Sequence, residues 1–388
     1  MHRPNILSLI KKQLLKNNVN GFVKTHDADK HCKGFNTLRH LLVMVYAQLS
    51  GANSLRDLVF TMNSHHSQHY HLGLDTVRRS TLSYANQHRP AQVFIDLLQS
   101  MIHQLGRKQK KEVKDLVLLL DSTPISLKGW GFDSWTRSMK TPRTQGFKVH
   151  IEYNLTRSLP TFFEMTPANV NDICIAKKIA LQENATYVFD KGYCDYDWWL
   201  SIDQANACFV TRLKNNAAIR LIQQKVVTED ASQIIEEDAI IGFRNKNPRA
   251  GKKLNYTKPL RCIKVKRQDK APLVLITNDL NRDALEVAEL YKSRWLIELF
   301  FKWIKQHLKI KRFIGQNENA VKIQIITALI AYILVVSLHQ MMPAYGTLKE
   351  MLLTIRTCLF HHFNFEKPPP MRRKKATAIQ RTLRFKEC

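Results

Sequence analysis

The sequence predicts an α/β protein in which an all-helical region precedes a mixed sheet. Up to about residue 110, apolar residues recur at helical spacing, as in Leu38, Leu41, Leu42, Val45 and Leu49. From Leu116 onward, short apolar runs of strand length alternate with helical stretches. With 388 residues, of which 44% are hydrophobic, the chain is long enough for two or three domains with substantial cores.

The first 110 residues are predicted to form a helical domain that binds DNA ends. Ser50-Gly51 is predicted to end one helix, and Ser54 is a candidate cap for the next. A third candidate helix covers Ser80 to Gln87, preceded by Arg78 and Arg79. Small basic helical domains commonly bind DNA with a helix in the major groove. The alternative is a helical scaffold with a solvated basic face.

The region after the basic linker 107–111 is predicted to contain five core strands. They are Leu116–Leu120, Phe147–Asn154, Thr161–Met165, Tyr187–Phe189 and Cys208–Leu213. Two helices separate the later strands, one from a cap at Asn171 to about Leu181 and one over Tyr196–Asn206. The first three strands are expected to form an antiparallel meander, and the later ones to add in parallel.

The charge of the chain indicates a polyanionic partner. The sequence has 60 Lys and Arg against 32 Asp and Glu, for a net charge of +28, spread along the whole chain. Its seven cysteines include no CxxC pair, which indicates reduced thiols and no zinc module. A histidine cluster at residues 65–71 lacks cysteine or carboxylate partners at ligand spacing, so no metal site is assigned there.

The chain is expected to be cytoplasmic and without a membrane-spanning segment. The N-terminus lacks the pattern of a signal peptide. The longest apolar run, Ile325 to Leu338, is shorter than a bilayer requires and is predicted to be a buried helix.

Two aspartates stand where buried strands are predicted to end. Asp121 follows Leu116–Leu120, and Asp190 follows Tyr187–Phe189. Ligand sites of α/β sheets gather at the carboxyl ends of strands, and a carboxylate is rarely placed there without a partner. A metal site is one interpretation, and a turn role is the other, since Asp-Ser-Thr-Pro after the first strand is also good turn chemistry.

The stretch from Tyr291 to Lys305 is predicted to be one helix with a polar stripe. At about 100° per residue, Tyr291, Arg294, Glu298 and Lys305 fall on one face. The opposite face, expected to be buried, consists of Leu296, Ile297, Phe300 and Ile304. Arg294 and Glu298 have the spacing of an ordinary solvated ion pair, which is the alternative to a site for metal and phosphate.

These motifs resemble the DDE transposases of bacterial insertion sequences. The resemblance rests on Asp121 in DST, Asp190 in DKGY and Glu298 in a Y-x2-R-x3-E-x6-K arrangement. This last signature is typical of the insertion-sequence family numbered four. The resemblance implies a ribonuclease H-like catalytic domain at 111–340, with a mostly β insertion at 214–278. The insertion is also predicted from short apolar runs, with turns at Gly242, Pro248 and Gly251.

The resemblance also implies a mechanism. Asp121, Asp190 and Glu298 would bind two Mg²⁺, with Mn²⁺ as a substitute, for DNA cleavage and joining of the 3′-hydroxyl to target DNA. Arg294 and Lys305 would contact phosphates, and Tyr291 would donate to a phosphate oxygen. Weaker candidates for DNA contact lie on or beside core strands: Lys148, His150, Arg212 and Lys214. In well-studied relatives, a Trp of the insertion stacks on a flipped base. This insertion has no Trp, which leaves Phe243 or Tyr256 as alternatives and a hairpin intermediate unassigned.

The resemblance places the protein on double-stranded DNA, at transposon ends and target, as a homodimer in the bacterial nucleoid. Residues 341–388 are predicted to be a helical and basic tail, interrupted at KPPP. Two rival functions remain. A ribonuclease H-like nuclease or resolvase would cut without joining, and a host-adopted DNA-binding protein would lack catalysis.

Overall fold

The fold is known for most of the chain. The computed structural model describes residues 5–107, 116–214, 216–244, 256–342 and 346–361. Several predicted features lie outside the described residues: positions 108–111 of the basic linker, the turns at Pro248 and Gly251, the KPPP break and the basic tail.

Seven helices form the N-terminal part of the protein. They are α1 (Ile6–Leu15), α2 (Val19–Thr25), α3 (Thr37–Ser50), α4 (Leu55–Asn63), α5 (His69–Leu72), α6 (Arg79–His88) and α7 (Ala91–Arg107). The side chains of Asn36 and Ser54 cap α3 and α4 by accepting backbone N–H groups. Gly51, with φ +80°, ends α3 in the left-handed conformation that glycine favours. The predicted helix end at Gly51, the cap at Ser54 and the helix at Ser80–Gln87 are confirmed.

Five strands form the predicted core sheet. They are β1 (Leu116–Ser126), β2 (Gly146–Asn154), β3 (Leu159–Pro167), β4 (Ala185–Phe189) and β5 (Cys208–Arg212). β1, β2 and β3 are antiparallel neighbours, whereas β4 is parallel to both β1 and β5. Three helices lie between them: α8 (Asp133–Thr136), α9 (Asp172–Ala176) and α10 (Tyr196–Gln204). The predicted order and directions of the strands are confirmed.

Two of the predicted boundaries in this region are wrong. β1 does not end at Leu120 but continues through Asp121 to Ser126, because it remains paired with β2 beyond the end of β4. The helix expected from Asn171 to Leu181 stops at Ala176. After it, the backbone N–H groups of Lys178 and Ile179 donate to the carbonyls three residues earlier, which is a tighter turn than the α-helix. Ile179 belongs to the hydrophobic cluster formed with residues of β1, β4 and β5.

The insertion after β5 is mostly β, as predicted, and extends the same sheet. It consists of β6 (Ile219–Gln224), α11 (Glu229–Ser232), β7 (Ile235–Phe243), β8 (Leu260–Val265) and β9 (Leu273–Thr277). The nine strands follow the order β3-β2-β1-β4-β5-β9-β8-β7-β6. β9 pairs antiparallel with β5, with Val210 opposite Thr277, so the insertion continues the core sheet from its last strand.

Four helices follow the sheet: α12 (Ala284–Ser293), α13 (Trp295–His307), α14 (Glu318–Met341) and α15 (Leu348–Cys358). The predicted single helix over Tyr291–Lys305 is wrong, since it is broken at Arg294. The Ser293 hydroxyl donates to the carbonyl of Leu290, the usual partner of the Arg294 N–H, which turns to Tyr291 instead. The break rotates α13 so that Leu296 is exposed, contrary to prediction, while the predicted burial of Ile297, Phe300 and Ile304 is confirmed.

The helix α14 lies at the centre of the molecule. It is longer than the predicted apolar run, and its 24 residues are long and apolar enough to cross a membrane by length and composition. Within its most apolar window, however, 89% of the residues are buried in the protein, which is typical of a core helix. α14 packs against the N-terminal helices α3, α6 and α7 and against α13 and α15. The N-terminal helices therefore share one hydrophobic core with the helices that follow the sheet.

Candidate active site

Asp121 and Asp190 lie where the pairing between the parallel strands β1 and β4 ends. The last residues paired between these strands are Leu120 and Phe189, and each aspartate is the next residue, Asp121 within β1 and Asp190 just after β4. Asp121 Oδ1 accepts the Ser122 N–H at 2.8 Å, and Asp190 Oδ1 accepts the Gly192 N–H at 2.9 Å. Both carboxylates lie close enough to Tyr193 to raise the pKa of its buried phenol, behind the larger effect of burial. The sheet thus places the two aspartates, 69 positions apart in sequence, on neighbouring strands at the point where their pairing ends.

Glu298 faces Asp121 from the first turn of α13. Both residues line an open pocket of about 300 Å³ on the edge of the sheet. The other lining residues are Ser122, Thr123, Phe301, Lys302, Lys305, Gln306 and Lys311. Asp190 is not among the lining residues of this pocket. It lies instead beside Tyr193 and Tyr291, where its carboxylate helps to raise the pKa of Tyr291, again after burial.

Arg294 forms a short ion pair with Glu298. Its Nη2 lies 2.6 Å from Glu298 Oε1, and its guanidinium carbon lies 5.8 Å from the centre of the Tyr291 ring. The Arg294 side chain is only 14% exposed, so the pair is not an ordinary solvated one. Its Nε is buried without a hydrogen-bond partner among the described residues. The Nε–H of Arg294 is therefore an unsatisfied buried donor in the described structure.

Lys305 reaches the same pocket from the next turns of α13. Its Nζ donates to Thr123 Oγ1 at 2.5 Å. Burial and the nearby Lys311 lower the pKa of Lys305, while Asp121 opposes this shift. A half-buried ammonium beside a second cation is suited to an anionic ligand such as a phosphate.

The site concentrates buried negative charge at Asp121. The pKa of Asp121 is raised to about 6, first by burial and then by the carboxylates of Glu298 and Asp172, while the Ser122 N–H and Arg294 oppose the shift. Carboxylate oxygens with such an uncompensated charge are the ligands that Mg²⁺ prefers. Within the described part of the chain, no three His, Cys, Asp or Glu side chains are close enough together to hold a metal. Glu298 is paired with Arg294 instead.

A fourth carboxylate near the site was missed by the sequence analysis. Asp172 Oδ1 accepts the Ser122 hydroxyl at 2.7 Å, and Lys148 Nζ lies 3.1 Å from the same oxygen. His150 Nδ1 lies 3.5 Å from that oxygen. Asp172 comes directly after the predicted helix cap Asn171, where an acidic residue is ordinary, so the sequence contains no signal that sets it apart. Ser122 thus links Asp172 to the residue next to Asp121.

This network gives internal partners to two predicted DNA contacts. Lys148 Nζ also donates to the Val170 carbonyl at 2.8 Å, and His150 Nε2 lies 2.9 Å from Thr166 Oγ1. Burial lowers the pKa of His150 to about 4, so its imidazole is neutral at physiological pH. The placement of Lys148 and His150 beside Asp172 favours a role in orienting Ser122, the neighbour of Asp121. Contact of either side chain with DNA remains a prediction.

The remaining predicted residues lie at two places. Arg212, half-buried at the end of β5, is close enough to oppose the raised pKa of Tyr291, and Lys214 is exposed just beyond it. Arg78 and Arg79 are exposed where α6 begins, on the N-terminal part of the protein. The structure therefore does not bring all of the predicted DNA contacts to one pocket.

The aromatic residues proposed for base stacking in the insertion are both packed internally. Tyr256 is 1% exposed. The Phe243 ring lies 4.4 Å from that of Tyr196, centre to centre. By contrast, Trp130 is 98% exposed in the loop after β1, outside the insertion. The suggestion that Tyr256 stacks on a base is therefore wrong, because its ring is in the core.

The comparison with known families agrees with this site. Residues 112–334 match the family described as Transposase DDE domain, and the chain belongs to that family. The protein is therefore a DDE transposase with a ribonuclease H-like core. Its relatives place it among the transposases of bacterial insertion sequences. Residues 2–75 match a second family, described as a domain of unknown function (DUF4372).

Two curated relatives and one solved structure illustrate the likeness. The chain is 40% identical over 297 residues to the putative transposase y4zB of Sinorhizobium fredii, covering 75% of this chain and 80% of that protein. It is 29% identical to the putative transposase for insertion sequence element IS4SA of Synechocystis sp., covering 67% and 71% respectively. A piggyBac transposase synaptic complex with hairpin DNA has a TM-score of 0.52 at 10% identity, over 91% of this chain and 79% of that one. At this identity the structural likeness shows the fold alone.

Proposed function

We propose that this transposase binds the inverted repeats of an insertion sequence, cleaves the DNA ends and joins the free 3′-hydroxyls to target DNA. The observation that carries the proposal is the position of Asp121 and Asp190 just beyond the last residues paired between β1 and β4, with Glu298 facing Asp121 across the pocket. The Tyr-Arg-Glu-Lys residues lie around the same edge, which also supports membership of the insertion-sequence family numbered four.

The three carboxylates, Asp121, Asp190 and Glu298, are the proposed ligands of two Mg²⁺, with Mn²⁺ as a substitute. DDE transposases normally use divalent metal, and the excess negative charge at Asp121 fits a cation. The metal would supply water activation and stabilisation of the leaving 3′ oxygen.

The cations of the pocket have separate roles in this proposal. Arg294 positions Glu298 through their ion pair and adds the positive charge of its guanidinium for a phosphate. Lys305 places a positive charge beside Thr123, on the Asp121 side of the pocket, where it neutralises a phosphate. Tyr291 packs beneath Arg294 and holds its guanidinium plane in place.

Partners and location follow from the same proposal. The substrate is double-stranded DNA, and the protein acts on paired ends as a homodimer in the cytoplasm, associated with the nucleoid. The support for DNA is the net charge of +28 and the family. The rival of a nuclease or resolvase that only cuts would use the same carboxylates.

Cleavage and joining should be measured separately on duplexes that carry the terminal repeat. We expect Asp121→Ala, Asp190→Ala and Glu298→Ala each to abolish cleavage in Mg²⁺ and leave binding of the end nearly intact, because each removes a carboxylate and no cation. Joining of a pre-cut end by the wild type would distinguish a transposase from a nuclease. Near wild-type cleavage by Asp190→Ala would contradict the assignment of the three carboxylates.

A further inference from the structure

The segment between α13 and α14 carries three cations that form no ion pair within the described part of the chain. This connector (residues 308–317) includes Lys309, Lys311 and Arg312. None of the three forms an ion pair in the ranges that the structure describes, and Lys311 and Arg312 are exposed. Burial and the neighbouring Arg356 and Arg312 lower the pKa of Lys309, with Asp57 opposing. Such crowding of like charges is stabilised by an anionic partner.

Two buried glutamines fix the shape of the connector. Gln324 of α14 donates to the carbonyls of Lys309 and Arg312 at 2.5 and 2.8 Å and accepts the Ile314 N–H at 2.9 Å. Gln48 of α3 accepts the Lys309 N–H at 2.7 Å and donates to the Gln324 carbonyl at 3.1 Å. Both amides are at most 1% exposed. The cations are therefore held on a rigid backbone instead of a flexible loop.

Residues of the connector reach two clefts of the surface. On the side of the catalytic pocket, Lys311 lines the pocket that contains Asp121 and Glu298. On the side of the other cleft, Lys309 Nζ donates to Asn53 Oδ1 at 2.6 Å, and the next residue, Ser54, begins the cleft between α4 and α6. That cleft also contains Arg56 and Arg79, neither of which has an ion-pair partner among the described residues.

The exposed face of α6 beyond the cleft has the chemistry of a base-reading surface. Its exposed residues repeat at helical spacing and include no carboxylate: Arg79, Ser80, Ser83, Tyr84, Gln87 and His88. The opposite face, with Leu82, Ala85 and Asn86, is buried. Ser and Gln side chains combine donors and acceptors, as direct contacts to base edges require.

From these contacts we infer that the connector and the α4–α6 cleft form one DNA path, which holds the backbone of a transposon end between the catalytic pocket and a base-reading face on α6. The inference rests on the proposed function and deepens it, because it assigns phosphate contacts to the connector and sequence recognition to α6. The rigid connector then fixes how far the cut lies from the base pairs that are read.

The test is binding by the full-length protein without divalent metal, so that cleavage plays no part. Two duplexes of equal length, one with the terminal repeat and one scrambled, are titrated over a series of salt concentrations. Lys309→Ala and Arg312→Ala should each weaken binding to both duplexes and reduce the slope of log affinity against log salt by about 1, since each removes one phosphate contact. Lys24→Ala, which removes an exposed lysine of α2, is the matched control and should keep the wild-type slope.

Variants of α6 should behave differently from those of the connector. Ser83→Ala and Gln87→Ala should keep the salt slope but reduce the preference for the repeat, by about tenfold for Gln87→Ala. Connector variants with the slope of Lys24→Ala, or α6 variants with the full preference, would overturn the path. Failure of the wild type to cleave in Mg²⁺ would instead overturn the proposed chemistry and leave the binding result standing.

Discussion

Charge is arranged differently in the catalytic pocket and on the connector. In the pocket, Arg294 and Lys305 are partly buried and held by contacts, Arg294 by an ion pair with Glu298 and Lys305 by a hydrogen bond to Thr123. On the connector, Lys311 and Arg312 are exposed and no carboxylate pairs with them in the described ranges. Paired, half-buried charges hold reacting groups in position, whereas unpaired exposed cations attract a polyanion by counterion release. Substitutions in the pocket should therefore change chemistry, and those on the connector should change binding.

After the three carboxylates, the largest effect is expected at Arg294. Arg294→Ala should lower the rate of cleavage or joining by at least about tenfold, or 1.4 kcal/mol of barrier. Arg294→Lys keeps the charge but removes the planar fork, so its defect should be partial. Both reactions should be assayed on intact and pre-nicked ends, with melting temperature measured alongside.

A control for Arg294 is available on α14. Glu318 and Lys322 form an i,i+4 pair of the same 2.6 Å length, with side chains 42% and 33% exposed. Glu318→Gln should change stability by no more than about 0.5 kcal/mol and leave cleavage unaltered. Full activity in both Arg294 variants would show that the Arg294–Glu298 pair is an ordinary surface pair like Glu318–Lys322. Arg294 would then have no role in cleavage or joining.

A smaller effect is expected from Asp172, which acts through Ser122 on the position of Asp121. Asp172→Asn should lower the maximal cleavage rate by about tenfold, because the bonds that orient Ser122 and Lys148 are weakened. Affinity for the end should stay within about twofold of the wild type. Ser122→Ala removes one of these bonds and should have an intermediate rate. Wild-type cleavage by Asp172→Asn would show that the network does not support Asp121.

Glu152 provides a test of buried charge without a partner. Thr161 Oγ1 donates to its Oε1 at 2.7 Å, but Oε2 is buried without a partner among the described residues. Burial raises the pKa of Glu152 to about 7, from the ordinary 4.5. Between pH 4.5 and about 7, Glu152 is therefore still protonated in the folded state but ionised in the unfolded state. The free energy of unfolding consequently falls as the pH rises through this range.

Glu152→Gln cannot ionise and should lack that decline. The variant should become more stable than the wild type by an amount that grows from pH 5 to 8 and reaches on the order of 1–3 kcal/mol. Denaturant unfolding at several pH values measures the difference. An equal difference at all pH values would show that Glu152 does not titrate with a raised pKa.

The smallest effect on stability is expected at Arg312. Because its side chain is exposed and unpaired in the described structure, Arg312→Ala should change the free energy of unfolding by no more than about 0.5 kcal/mol. Unchanged stability of Arg312→Ala, together with weaker DNA binding by this variant, would show that the connector acts in binding and the pocket in the reaction. A large loss of stability would indicate that Arg312 instead helps to hold the fold.

The sequence analysis succeeded where local pattern determines structure. Apolar runs predicted the core strands and their order, and Asp121 and Asp190 follow the last residues paired between β1 and β4. It failed where contacts join distant segments. The bond between Ser122 and Asp172 spans 50 positions, and Gln48 reaches the connector over 261 positions. Neither separation leaves a periodic signal in one sequence.

The helix break at Arg294 shows a different limit. Helical periodicity through Tyr291–Lys305 is strong, and residues on both sides of the break are helical. The break depends on one hydroxyl, that of Ser293, competing for the Leu290 carbonyl. Side-chain competition of this kind changes the direction of a helix without changing its apolar pattern, so the polar stripe was predicted while the exposure of Leu296 was not.

The central claim is that Asp190 is a metal ligand of the cleavage reaction, and a change of metal preference tests it most directly. Asp190→Cys replaces a hard carboxylate with a thiolate, which binds Mg²⁺ poorly and softer ions such as Mn²⁺ better. We expect Asp190→Cys to lose cleavage of the terminal-repeat duplex in Mg²⁺ and to regain it at least partly in Mn²⁺, with Asp190→Ala inactive in both and the wild type active in both. Cleavage by Asp190→Cys that is no greater in Mn²⁺ than in Mg²⁺, or near wild-type cleavage by Asp190→Ala, would contradict the account.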